Sequence, residues 1–228
     1  MLKPLSVVLC ALALVVAACG DDDKEPAQKK QAASPPAAEQ KAGCKDVAQP
    51  PPREDGGQKK PQKPLDPGKT YEIDMTTSCG TFTIRLDQKT SPNAAASFVA
   101  LARAGFFDNT IFHRIVPGFV IQGGDPTASG TGGPGYSTRD DVPANAAYNP
   151  GVVAMAKAGN EPPGTAGSQF FVVTGADTGL TPDYALLGKV TKGMDVVQAI
   201  GELGDPASGG AGTPRQSVVI EGTKVRER

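Results

Sequence analysis

From about Lys69 to its C-terminus the chain is a succession of short apolar runs cut by glycine and proline, and this punctuation limits what it can fold into. Glycine occurs 28 times and proline 21 times in 228 residues, a density that favours turns over long helices. Tyr71-Glu72-Ile73-Asp74-Met75 alternates apolar with polar, as does Thr81-Phe82-Thr83-Ile84-Arg85-Leu86, with Ser78-Cys79-Gly80 between them. Two alternating runs about a turn predict a β-hairpin. Ser91-Pro92 predicts a helix start, serine as N-cap and proline at the first position, with Gly105 as the stop. Its alanine-rich body sets Ala94, Phe98 and Leu101 on one face. Further strands are predicted at 110–115, 119–122, 152–155, 169–173 and 186–190, a second helix at 193–200 facing Met194, Val197 and Ile200 inward, and a last strand at 217–225. Many short strands with two isolated helices imply a mainly β fold, an antiparallel barrel capped by helices, in one domain over 69–228.

Residues 1–68 carry no such pattern. A short basic start, Met1-Leu2-Lys3, precedes an almost wholly apolar run at 5–18. This run falls short of the roughly 20 residues that span a bilayer and suits the apolar region of a signal peptide. It ends in Val16-Ala17-Ala18-Cys19, which resembles a bacterial lipobox, followed directly by the polar Gly20-Asp21-Asp22-Asp23. The expectation is cleavage of 1–18 and lipidation of Cys19, which would hold the protein at a membrane surface outside the cytoplasm. The alternative is an ordinary secretory signal ending at Ala18. Acylation with two or more chains is what stable anchoring needs. Segment 19–68 has no aromatic residue, and Val47 and Leu65 are its only large aliphatics. It cannot bury enough apolar surface to offset its ordering entropy and reads as a disordered tether rich in proline, lysine and aspartate.

Composition excludes several functions. Lysine plus arginine (23) balance aspartate plus glutamate (24), so the chain lacks the electrostatic footprint of a nucleic-acid binder. His113 is the only histidine, which rules out a metal site built on a histidine pair. Gly130-Thr131-Gly132-Gly133-Pro134-Gly135 invites comparison with a phosphate loop but lacks the Lys-Ser/Thr pair and the strand–helix context. With Cys10 in the apolar leader and Cys19 at the lipobox, Cys44 and Cys79 are left either to pair in an oxidising compartment or to stay free thiols.

Three blocks stand out against this background. They are Phe112-His113-Arg114-Ile115-Val116-Pro117-Gly118-Phe119-Val120-Ile121-Gln122-Gly123-Gly124-Asp125, Gly151-Val152-Val153-Ala154-Met155-Ala156-Lys157-Ala158-Gly159, and Gly167-Ser168-Gln169-Phe170-Phe171-Val172. In order and spacing they resemble the signature blocks of the cyclophilins, and Leu186-Leu187-Gly188-Lys189-Val190 agrees with the strand that follows. The resemblance covers about Tyr71 to Val225. It implies an eight-stranded closed antiparallel barrel capped by two helices, and a monomeric peptidyl-prolyl isomerase acting on proline-containing polypeptides without metal or cofactor.

The resemblance also implies roles. Arg114 would donate a hydrogen bond to the prolyl nitrogen as the X–Pro bond twists, and Gln122 would hold the carbonyl before the proline. Phe119, Val120, Phe171 and Leu180 would form the socket for the proline ring, with Tyr184 on the same wall. Ala156, Lys157 and Ala158 would offer an edge to the substrate backbone, and Gln169 a further polar contact. His113 is expected to be structural, and Phe112, Ile115 and Ile121 to be core. The chain departs from many eukaryotic members at Gly179, where they carry tryptophan, at Tyr184, where they carry histidine, and in the 159–167 loop. Two other readings compete: a proline-peptide holdase with little turnover, and a hydrolase using His113, for which no nucleophile elbow is recognisable.

Overall fold

The computed structural model describes residues 43–228; the predicted leader and Cys19 lie outside them. The predicted hairpin is present as β1 (Tyr71–Thr77) and β2 (Gly80–Leu86). Helix α1 (Pro92–Arg103) follows, burying Ala94, Phe98 and Leu101 as their spacing requires. Then come β3 (Thr110–Ile111), β4 (Arg114–Val116), β5 (Val120–Gly123) and β6 (Thr138–Arg139). After these run β7 (Val152–Met155), β8 (Thr165–Ala166), β9 (Phe170–Val173), β10 (Leu186–Lys192), α2 (Met194–Gly201) and β11 (Val219–Glu227). A short 3-10 segment, Pro206–Ala211, precedes the last strand.

One capping detail differs from expectation. Ser91 makes no side-chain cap, and its hydroxyl lies buried without a partner. The first turn of α1 is instead held by Asp140, which accepts from the Asn93 N–H at 3.0 Å and the Ala94 N–H at 2.8 Å. A carboxylate at a helix N-terminus satisfies orphan donors and complements the helix dipole. Here it comes from 46 residues away, where helix-start rules do not look.

Nine strands form one antiparallel sheet in the order β3-β11-β1-β2-β10-β7-β9-β5-β4, while β6 and β8 make a separate small pair. The expected closed eight-stranded barrel is therefore corrected. The sheet curls until Ile111 meets Asp125 in a single bridge, but no ladder joins its two end strands. Those ends, β3 and β4, belong to one stretch of chain that the sequence reads as a continuous strand over 110–115. Between them Phe112 turns fully into the core. Edge strands of two and three residues leave little unpaired backbone exposed for another chain to extend.

Strand β9 is buried on both faces, so its alternation sends neighbours into different clusters. Phe170 and Val172 enter the main core, whereas Phe171 and Val173 join a smaller apolar cluster with Val120, Tyr148 and Ala154. Phe170 is the hub of the core. It packs edge-to-face on Phe98 (5.4 Å), Phe107 (6.0 Å) and Phe112 (6.0 Å), all fully buried.

Of the expected 19–68 tether, residues 19–42 lie outside the described residues, and 43–68 lie along the domain as a strap without regular secondary structure. Cys44 is bonded to Cys79 in the turn of the first hairpin, with an S–S distance of 2.06 Å. Strap N–H groups then donate to loop carbonyls: Lys45 to Ser78 (2.9 Å), Arg53 to Pro126 (2.8 Å), Gly56 to Gly133 (3.0 Å) and Gln58 to Pro134 (3.1 Å). Gly135, at φ +88°, lets the strap pass so closely that a Cβ there would stand 2.9 Å from the Gly56 Cα. The segment has no core of its own. It borrows one, with Cys44 and Leu65 packed against the main cluster and four of its backbone N–H groups bonded to carbonyls of the domain's loops.

Truncating the aromatic hub measures how far this packing carries the fold. Phe170→Ala is expected to cost about 3–5 kcal/mol in urea unfolding, because three rings lose their common partner.

Candidate active site

Strand register brings the separated sequence blocks into line. Arg114 on β4 pairs with Gln122 on β5, Gln122 with Phe171 on β9, Phe171 with Ala154 on β7, and Ala154 with Leu186 on β10. Directly paired residues project to the same side of a sheet, so this row lies on the face opposite the main core.

A polar relay runs along one margin of the row. Arg114 Nη1 donates to Gln122 Oε1 at 3.4 Å, Gln122 Nε2 to Gln169 Oε1 at 3.0 Å, and Gln169 Nε2 to the Gly132 carbonyl at 2.9 Å. Arg114 Nε donates to the Gly210 carbonyl at 3.1 Å, while its guanidinium carbon sits 5.8 Å from the centre of the Phe119 ring. Gly212, at φ +67°, makes room for that side chain: a Cβ there would come within 2.8 Å of the arginine Cγ. Two of three guanidinium nitrogens are thus fixed. Nη2 has no hydrogen bond among the described residues.

Beside the relay lies an apolar depression. Val120 and Phe171 are its floor, only 2% and 4% exposed, while Phe119, Leu180 and Tyr184 are partly exposed at its rim. Tyr184 stands edge-on to Phe171 with ring centres 5.3 Å apart. The sequence offered no reason to single out Tyr148, which holds this wall in place. Its hydroxyl donates to the Tyr184 carbonyl at 2.8 Å and accepts from the Tyr184 N–H at 3.0 Å, and its ring packs against Phe171. Tyr148 sits in a loop, outside any alternating run, so only the tertiary contact reveals it.

The Ala156-Lys157-Ala158 edge is less open than expected. The Ala156 N–H donates to the Gln169 carbonyl at 2.9 Å and the Ala158 N–H to Glu161 Oε2 at 2.6 Å. The Lys157 N–H remains without a partner among the described residues. Its ammonium is not free either: it lies 2.8 Å from Asp183 Oδ2 with the side chain 4% exposed.

The glycine-rich loop is held from below by Asp125. Its carboxylate accepts from the Thr127 N–H (2.7 Å) and hydroxyl (2.8 Å), the Gly130 N–H (2.6 Å) and the Gly132 N–H (3.2 Å). Burial opposes the charge, but these hydrogen bonds outweigh it and hold the carboxyl below its ordinary range. The donors that a phosphate loop would offer are already spent on a side chain. His113 lies beside Gly130 with both ring nitrogens buried and unpartnered, a structural placement. Its loss of hydration lowers its basicity; the Asp125 charge works against that and the Arg114 charge with it.

The domain matches the family model described as cyclophilin type peptidyl-prolyl cis-trans isomerase/CLD over residues 72–225. It is 37% identical over 140 residues to a peptidyl-prolyl cis-trans isomerase of Arabidopsis thaliana, covering 60% of this chain and 84% of that protein. It is 40% identical over 168 residues to a spliceosome-associated protein homologue of Danio rerio, covering 72% of this chain but 34% of that one. Among solved structures it is similar to a cyclophilin-type isomerase of Cryptosporidium parvum, with TM-score 0.62 and 29% identity over 69% of this chain and 98% of that one. The same Cryptosporidium protein, crystallised in the presence of the dipeptide Ala-Pro, gives TM-score 0.61 and 30% identity over 68% and 98% of the two chains.

The buried, weakly basic imidazole has a consequence for stability. A histidine harder to protonate when folded than when unfolded takes up its proton preferentially in the unfolded chain. Stability therefore falls as pH drops below the ordinary value of about 6.5 and levels off below the folded one. Melting temperatures recorded from pH 7.5 to 5 should decline, and His113→Gln should flatten that decline. The Asp125 contribution is lost only at more acid pH.

Proposed function

We propose that this chain, which belongs to the cyclophilin-type peptidyl-prolyl cis-trans isomerase family, seats the proline of a polypeptide over Phe171 and turns the X–Pro bond under Arg114. The observation that carries this reading is the register row. It sets a fixed guanidinium, a fixed carboxamide and an apolar floor side by side on one sheet face.

The chemistry follows from the amide. Rotation about X–Pro must break resonance worth about 18–20 kcal/mol of barrier, and unassisted it takes tens to hundreds of seconds. At the twisted state the prolyl nitrogen is pyramidal and carries a lone pair that the planar ground state lacks. Arg114 Nη2 donates to that lone pair. The bond forms only in the transition state, so it lowers the barrier without tightening the ground state. Its neighbours, Nε and Nη1, are already tied to Gly210 and Gln122, so the guanidinium need not be reoriented during turnover. Gln122 holds the carbonyl of the residue before proline. Val120 and Phe171 floor the socket, and Phe119, Leu180 and Tyr184 exclude water around the ring. Lys157 offers its backbone N–H to the substrate chain, with Gln169 completing the polar side.

We place this activity outside the cytoplasm, on exported or cell-envelope polypeptides, with Cys19 as a lipid anchor. The apolar 5–18 run ending in Val16-Ala17-Ala18-Cys19 supports that placement. So does the bond between Cys44 and Cys79, of a kind that persists in oxidising compartments. In cells fed a labelled fatty acid, the label should enter the protein and be lost in Cys19→Ala; an unlabelled wild-type chain would remove the anchor.

Turnover is tested by exchange NMR on an X-Pro peptide. Arg114→Ala should lower kcat/KM by about one to two decades, the worth of a charge-assisted hydrogen bond. Its melting temperature should stay close to that of the parent, since the side chain lies outside the core. Peptide binding without acceleration in the parent protein would favour a holdase instead.

A further inference from the structure

The strap does more than lie along the domain. Next to Gln122 and Gln169 is a cavity of about 530 Å³, walled on one side by the 130–137 loop and on another by Ala156, Lys157 and Glu161. Its remaining wall includes Asp55, which belongs to the strap and not to the sheet. Asp55 Oδ1 accepts from the Gly133 N–H at 2.5 Å, and flanking strap groups bond the same loop at Gly133 and Pro134. The strap passes so closely over Gly135 that the two backbones are almost in contact. Strap and loop are therefore one structural unit. Cys44 fixes its far end to the first hairpin.

The charges around this cavity do not cancel. Lys157, its one lining cation, is committed to Asp183 at 2.8 Å and to the Glu161 carbonyl at 3.0 Å, and Lys60 reaches the rim only to donate to the Ser137 carbonyl at 2.9 Å. Asp55 and Glu161 each spend one oxygen on a backbone N–H, at Gly133 and Ala158. Asp55 Oδ2 and Glu161 Oε1 take no hydrogen bond among the described residues. Backbone donors of the loop that could welcome an anion, the N–H groups of Gly130 and Gly132, are consumed by Asp125. The cavity is acidic, open to solvent, and shares Gln122, Gln169 and Lys157 with the row beside the socket.

We propose that Asp55 is a specificity-determining residue: brought to the groove by the strap, its carboxylate selects substrates with a lysine or arginine side chain next to the isomerised proline. This rests on the isomerase reading and adds a preference to it. A chain seated with its proline over Phe171 and its backbone along Lys157 carries a flanking side chain over the cavity. An ammonium or guanidinium there meets two carboxylates, while the neighbouring lysines are already engaged, Lys60 by the Ser137 carbonyl and Lys157 by Asp183; a carboxylate meets repulsion.

The test uses the full chain and a peptide set around one Ala-Pro core, with Lys, Ala or Glu placed in turn at each position from three before the proline to two after it. Catalysed exchange rates are read by NMR at low and at moderate salt. The expected result is one position at which Lys exceeds Glu in kcat/KM by about three- to tenfold at low salt, the scale of a partly exposed charge pair, with the ratio shrinking as salt rises. Asp55→Asn, which keeps the oxygen facing Gly133, should bring that ratio below about twofold. If no position separates Lys from Glu, or if the preference survives Asp55→Asn unchanged, the proposal is overturned. If no peptide is turned over, the isomerase reading fails by itself. Dissociation constants of the same peptides, from shift titration, then decide the Asp55 question by the same ratio.

Discussion

Strand β9 has to be apolar on both faces, and the rest of the molecule is arranged around that demand. On one face Phe170 joins Phe98, Phe107 and Phe112 in the centre of the core. On the other, Phe171 floors the apolar depression beside the Arg114–Gln122 relay. A strand buried on both sides cannot shift register without placing a phenylalanine in the wrong cluster. The same neighbours that lock Phe170 therefore lock Phe171. The floor of the candidate site is thus built on a doubly buried strand, where rigidity favours precise positioning.

Around that floor the polar groups are fixed by one another. Arg114, Gln122, Gln169 and the Gly132 carbonyl form a hydrogen-bonded chain that holds each side chain in place and leaves Arg114 Nη2 open. The relay also ties two distant parts of the fold together. One end rests against Gly210 and Gly212 before the last strand, the other on the glycine-rich loop that Asp125 holds from beneath. A rigid apolar floor and a satisfied polar margin are separate solutions to one requirement: the groove must lose little freedom when it binds.

Much of this was legible in the sequence, where local pattern and tertiary outcome coincide. The hairpin, both helices and the strands at Val152–Met155 and Phe170–Val173 follow from alternation and glycine/proline punctuation. Most of the site residues lie in three motif blocks, and register places Arg114, Gln122 and Phe171 from them in one row. What stayed hidden depends on contacts between distant segments. Asp140 caps a helix it does not precede. Tyr148 braces a wall from an irregular loop. The 110–115 run breaks into two short edge strands because Phe112 is worth more in the core than in a ladder, which leaves the sheet open. By composition the 19–68 segment reads as unable to order itself, and its 43–68 part alone lacks the apolar surface to do so. Composition says nothing of carbonyls offered by a neighbouring loop.

That borrowed order leaves the strap dependent for its stability on the loop it leans on. It buries few large side chains, and its backbone bonds go to loops at the surface, the kind of region that opens at far lower free energy than a core. Opening would not free it, because the Cys44 end stays bonded to the first hairpin. The segment is therefore a leash with a fixed root, held to the Gly133–Gly135 stretch by surface hydrogen bonds and to the hairpin by a covalent one. The wall it lends to the groove is on a different energetic footing from the floor, which the aromatic hub braces from behind.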